Sequence, residues 1–140
     1  MKKTYVTKLA EIKRDWHLVD VKDKILGRVA VEIAGKLMGK HKVIFSPQLD
    51  CGDYVVAINA AQIKVSGRKE AQKVYFRHSG YPGGERVRTF AEQLKRDPRK
   101  ILEEAVRGML PKNKLRDRRV GRLKVFAGAE HKYNDKFKAE

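Results

Sequence analysis

The stretch Tyr54-Val55-Val56-Ala57-Ile58, set between Gly52 and Asn59, does most to limit what this chain can fold into. A near-continuous apolar run of this length reads as a central strand covered on both faces. Before it, Trp16-His17-Leu18-Val19-Asp20-Val21 reads as a first strand, apolar and β-branched, that stops at the polar Lys22-Asp23-Lys24. Between the two, Leu26, Val29, Ala30, Ile33, Leu37 and Met38 recur at three- and four-residue spacing, and Gly39 supplies the left-handed stop of a helix. Strand, helix, strand in that order predicts a parallel pair joined by a right-handed crossover.

Further along, Ile63-Lys64-Val65 and Lys73-Val74-Tyr75-Phe76-Arg77 are strand candidates on either side of the turn-like Ser66-Gly67-Arg68-Lys69, and the second is expected to add to the sheet. A Gly-rich loop is expected from His78 to Glu85. Thr89 with Glu92 three residues on predicts a capping box at the head of a short helix. Asp97-Pro98 predicts another helix start, with Ile101, Leu102, Ala105, Val106 and Met109 as its buried stripe and Pro111 as its end. Leu123 to Gly128 reads as the last strand. The sum is an α/β chain with a small, mainly parallel sheet and helices on its faces. No repeat or linker divides it, so the expectation is a single domain over 1–140 with a core at about 14–128 and short terminal extensions.

Charge then bears on the partner. The chain holds 33 Lys and Arg against 17 Asp and Glu, a formal net charge of +16 in 140 residues. That excess opposes compaction unless a polyanion neutralises it, and phosphates do so with release of condensed counterions. Hydrophobic residues, 41% of the sequence, suffice for one core that buries roughly 70% of the unfolded surface. The excess is concentrated late: residues 112–124 carry seven basic groups around the lone Asp117. No apolar run approaches the roughly 20 residues of a membrane span, and Met1-Lys2-Lys3-Thr4 leads into no signal-peptide core. A soluble, non-exported protein with no membrane partner is expected. One cysteine, Cys51, forms no internal disulfide and fits a reducing compartment.

Catalytic patterns are weak. The turn after Val21 holds only Gly27 and lacks a dinucleotide fingerprint, and Ser79-Gly80-Tyr81-Pro82-Gly83-Gly84 lacks the Gly-Lys-Ser/Thr ending of a P-loop. His17, His41, His78 and His131 lie far apart without paired ligand spacing, so neither metal nor other cofactor is expected. Asp50, Asp53 and His41 are the loose candidates for an alternative reading as a small basic RNA-processing enzyme, and a general nucleic-acid binder is a third reading. Trp16 is read as a core anchor, and Cys51 as a small residue ahead of the buried strand.

Several segments together resemble the L-thirteen family of large-subunit ribosomal proteins. They are Trp16 to Asp20, Leu26-Gly27-Arg28-Val29-Ala30, Leu37-Met38-Gly39-Lys40, Gly52 to Val56 with Ile58-Asn59-Ala60, His78 to Gly84, and Ala105 to Asn113. The resemblance implies a non-catalytic protein with a three-layer α/β/α fold and a four-stranded parallel sheet. It also implies binding to large-subunit ribosomal RNA early in assembly, beside neighbouring ribosomal proteins, in the cytoplasm. No small-molecule substrate and no obligate homo-oligomer are expected. The family's tail usually reads G-x-x-H-P-H followed by Gln and Pro, whereas here it runs Gly128-Ala129-Glu130-His131-Lys132-Tyr133-Asn134-Asp135.

Three basic elements are the expected contacts to RNA phosphates, in which base-reading pockets are not needed. The 66–73 turn brings Arg68, Lys69 and Lys73. The 77–88 loop brings Arg77, His78, Gly80, Tyr81, Gly83, Gly84, Arg86 and Arg88. The 112–122 segment brings Lys112, Asn113, Lys114, Arg116, Arg118, Arg119 and Arg122. The last is expected to be mobile in the free chain, since Lys114, Arg118 and Arg122 stand four apart and repel on a helix.

Overall fold

The computed structural model describes residues 4–137; Met1, Lys2 and Lys3 of the chain start, and residues 138–140, lie outside them. The elements are β1 (Trp16–Asp20), α1 (Leu26–Met38), β2 (Tyr54–Ile58), α2 (Lys69–Gln72), β3 (Val74–His78), β4 (Glu85–Thr89), α3 (Phe90–Arg96), α4 (Pro98–Met109), α5 (Arg116–Gly121) and β5 (Leu123–Val125).

The apolar run at 54–58 is the middle strand. β1 and β5 pair with it in parallel, with His17 opposite Val55, Val19 opposite Ala57, and Val55 opposite Leu123. Val55, Val56 and Ala57 have no solvent exposure, as a central strand requires. Beyond β1 the pairing runs out into single bonds, Val21 N–H to the Ile58 carbonyl and Leu26 N–H to the Lys64 carbonyl.

α1 turns Leu26, Val29, Ala30, Ile33, Ala34, Leu37 and Met38 inward and ends at Gly39, whose φ of 79° lies in the left-handed region. A side chain at Gly39 would also strike the Cys51 carbonyl, 2.6 Å from an ideal Cβ. α1 packs on α4, and both contribute to the core with Val19, Val55, Ala57, Leu123 and Val125 from the sheet. Strand residues alternate between faces, so Trp16 and Tyr54, which are register partners, share the opposite face. There Trp16 stacks on Tyr54 at 4.4 Å, with Tyr133 of the C-terminal segment at 5.1 Å. The anchor role expected of Trp16 is thus an aromatic stack at the sheet's other face.

α3 opens with the expected capping box: the Thr89 hydroxyl accepts from the Glu92 N–H, and the Glu92 carboxylate accepts from the Thr89 N–H. α4 opens with Asp97 accepting from the Arg99 N–H and Pro98 in the first turn. Each is a local exchange of side-chain acceptor for an N–H that the helix leaves free.

Four expectations need correction. The sheet is three parallel strands rather than four, and Ile63–Val65 forms only the isolated bridge between Ile25 and Lys64. β3 does not extend the sheet but pairs antiparallel with β4, Phe76 opposite Val87 and Arg77 opposite Arg86. The expected basic loop is therefore mostly a hairpin, because Arg86-Val87-Arg88-Thr89 alternates as a strand does and only 79–84 is needed to turn. Met109, placed on the buried stripe of α4, is 45% exposed, while Ile101, Leu102 and Val106 are buried. At the last turn of that helix the chain has already passed the edge of the core.

Candidate nucleic-acid interface

The three basic elements gather around α4. α2 and the residue that caps its end bring Lys69 and Lys73 to a groove shared with Ala105 and Met109 of α4. In the β3–β4 hairpin, Tyr75, Arg77, Arg86 and Arg88 project from one face toward Gln93, Lys100 and Glu104, with which they line a cleft. Lys73 caps the Tyr75 ring at 5.5 Å. Burial, with the Glu104 charge, pushes the Tyr75 phenol up to about 12. Arg77 also shares a groove with Arg107 of α4 and Val120 of α5, which joins the hairpin to the third basic element.

The hairpin tip is built by its glycines. Gly80 and Gly83 have φ of 87° and 71°, and the turn closes through Ser79 N–H to the Gly84 carbonyl and Gly84 N–H to the Tyr81 carbonyl. Such a turn leaves backbone open to a close-approaching phosphate. Arg68, Lys69, Arg77, His78, Gly80, Tyr81, Gly83, Arg86, Lys112, Asn113, Lys114 and Arg118 are exposed, and Lys73, Gly84, Arg88 and Arg116 are half-buried.

Arg119 and Arg122 do not belong to this surface, and their expected place on it is corrected. Both are buried. Arg122 makes a two-pronged contact with the Asp50 carboxylate and donates from Nε to the Asp53 carbonyl at 3.3 Å and from Nη2 to the Leu37 carbonyl at 3.1 Å. Arg119 Nε lies 3.7 Å from Asp50, and Arg14 Nη1 lies 3.8 Å from it. Burial pushes the Asp50 carboxyl up, but the Arg122 hydrogen bond and charge, with Arg14 and Arg119, outweigh it and hold the group below the usual carboxylate range. Arg119 of α5 and Arg122 just after it are thus packed against Asp50 inside the fold.

Asp53 is the second buried acid. Burial pushes its carboxyl up, yet hydrogen bonds from Lys42 and His17 and from the Asp15 N–H hold it below the usual range. His41 also reaches it, at 2.9 Å. Gly52 sits between the two acids because nothing larger fits: an ideal Cβ would lie 1.6 Å from the Leu37 carbonyl oxygen. Cys51 is buried and its thiol donates to the Ile44 carbonyl at 3.6 Å. Sequence reasoning missed the internal role of Asp50 and Asp53. The available signal was their position immediately before a doubly buried strand, where a carboxylate needs a cation beside it.

Among the described residues no helix is long and apolar enough to cross a membrane. Parallel sheet, α4 spine and surrounding basic shell define a strongly basic mixed α/β protein whose cations divide into a buried, acid-paired set and an exposed set. The profile of the family described as "Ribosomal protein L13" matches residues 14–132, and the chain belongs to that family. Proteins named "Large ribosomal subunit protein uL13" are similar over nearly the full length. That of Halorhodospira halophila is 53% identical over 132 residues, covering 94% of this chain and 93% of its own. That of Cupriavidus metallidurans is 51% identical with the same coverage. That of Symbiobacterium thermophilum is 48% identical over 131 residues, covering 94% and 92%.

Proposed function

We propose that this chain is a structural constituent of the large ribosomal subunit in the cytoplasm, where it acts without catalysis as a clamp on large-subunit ribosomal RNA. The observation that carries the reading is the set of exposed cations on three elements, of which α2 and the hairpin bring theirs to clefts along α4 and the third packs on α4 through α5. Family membership supports it. Phosphates would meet Arg68, Lys69 and Lys73 at α2. They would meet Arg77, His78, Arg86 and Arg88 on the hairpin, with the backbone of Gly80, Gly83 and Gly84 and the Tyr81 ring at its tip. At α5 the contacts would be Lys112, Asn113, Lys114, Arg116 and Arg118. Rigid spacing of these elements would select an arrangement of RNA helices rather than a base sequence, since A-form duplex is recognised by shape and backbone. The clamp would form early in subunit assembly, beside other ribosomal proteins, as a single domain and without obligate self-association. A three-layer α/β/α arrangement is the family-like reading of this fold.

The test is binding of the full chain to large-subunit ribosomal RNA against an equal length of duplex DNA. Preference for the RNA, and sedimentation of a tagged copy with large subunits, are the expected results. Equal affinity for duplex DNA with a purely free pool in the lysate would overturn the reading in favour of general nucleic-acid binding. Magnesium-dependent turnover of RNA abolished by Asp53→Ala would favour an enzyme.

A further inference from the structure

His17 in β1 and His41, three residues past the end of α1, aim their Nε2 atoms at the same oxygen of Asp53, each at 2.9 Å. Their rings meet edge to face with centroids 5.5 Å apart. The three ligand atoms lie within 4.8 Å of one another. The other carboxylate oxygen is committed elsewhere: it accepts from the Asp15 N–H at 3.0 Å and from the Lys42 ammonium. Asp53 is fully buried and held from behind, while His17 and His41 side chains are 29% and 43% exposed, so one side of the cluster opens to solvent. None of these groups belongs to the proposed RNA interface.

The geometry points to a transition-metal site with His17 Nε2, His41 Nε2 and Asp53 Oδ2 as protein ligands and a fourth position open to water. Two imidazoles and one carboxylate suit a zinc-class ion and do not suit magnesium or calcium, which take oxygen donors. Ligands about 2.0–2.1 Å from a tetrahedral ion stand about 3.3 Å apart. The two 2.9 Å separations from Asp53 need a few tenths of an ångström of opening, and the two Nε2 atoms, within 4.8 Å of each other, lie in a range that rotation of the partly exposed imidazoles can bring to that spacing. Each Nε2 binds through its lone pair, so neutral imidazole keeps its proton on Nδ1 and any proton on Nε2 leaves on binding. Asp15 and Lys42 serve as outer partners that orient the carboxylate. Lys42 also opposes the ion, because its ammonium neutralises Asp53 when no metal is bound and repels a dication when one is.

The test uses the full chain, stripped with chelator and free of RNA, titrated with Co²⁺ followed by visible absorption and with Zn²⁺ followed by calorimetry. One Co²⁺ per chain with the intense bands of a tetrahedral site, displaced by one equivalent of Zn²⁺, is expected. His17→Gln and His41→Gln should each weaken binding about 100-fold or more while leaving circular dichroism unchanged, since removal of a direct ligand exceeds the loss seen for outer-shell changes. Lys42→Gln should tighten it about tenfold, an effect that no purely structural role of the cluster produces. Absence of saturable one-to-one uptake by the wild-type chain overturns the assignment. So does undiminished uptake by the His17→Gln/His41→Gln double variant, which would place the ion at other residues.

Discussion

Arg122 and Asp50 stand 72 residues apart in the chain and face each other in the structure as guanidinium and carboxylate, with side chains only 9% and 13% exposed. Through the same guanidinium, the end of α5 is tied to the end of α1 at Leu37 and to the entry of β2 at Asp53. Leaving one member of a buried pair unmatched costs about 3–5 kcal/mol. Arg122→Gln should therefore lower stability by about that amount in urea unfolding, whereas Arg118→Gln, on the exposed side of the same helix, should stay within about 0.5 kcal/mol of wild type. Equal, small effects of the two would mean that the Asp50 pair does not hold the fold.

The same pair, with Asp53, sets the acid limit of the protein. Both carboxyls lie below the usual range in the folded state, against about 3.9 for Asp when unfolded. Groups of this sign contribute stability that is fully present above the unfolded value and is lost as pH falls through the folded one. Stability should hold from pH 7 to about 5 on their account, then fall from about pH 4 downward. Asp50→Asn should be less stable at pH 7 and should show a shallower loss on acidification. Urea midpoints at pH 7, 5 and 3 measure it.

Glycines at two places should respond in opposite ways. Gly52→Ala forces a Cβ into the Leu37 carbonyl and should destabilise by about 3 kcal/mol or more, beyond ordinary overpacking because the obstacle is backbone. Gly108→Ala, in α4 with nothing within 4 Å of the new Cβ, should stabilise by up to about 1 kcal/mol through helix propensity. Thermal unfolding of the two variants separates a steric requirement from a conformational one.

What was legible in the sequence was what neighbouring residues decide. The Gly39 stop, the Thr89–Glu92 box and the Asp97-Pro98 start all stand as expected because each satisfies its own backbone within a turn. The central position of 54–58 was also legible, since two-faced burial erases alternation. The β3–β4 hairpin was only half visible: Lys73 to Arg77 reads as a strand, but its partner is dominated by arginines and glycine-rich sequence precedes it. Arg119 and Arg122 were misread because charge clustering is a local signal, while their partner Asp50 is about 70 positions away. His17, His41 and Asp53 converge from three segments, and no spacing rule covers a site assembled by a parallel sheet and a helix end.

If the exposed cations grip RNA while the buried ones grip Asp50, salt-dependent RNA affinity and thermal stability must respond separately to loss of the exposed set. The log of RNA affinity should be measured against the log of salt concentration for the wild type, for a Lys112→Gln/Lys114→Gln/Arg118→Gln variant, and beside it the melting temperature of each. If all three side chains contact phosphates, each contributes about 0.7 to 0.9 to the slope. The variant's slope should be shallower by about 2 to 3 and its melting temperature unchanged. A variant that melts lower but binds RNA with the wild-type slope would contradict it.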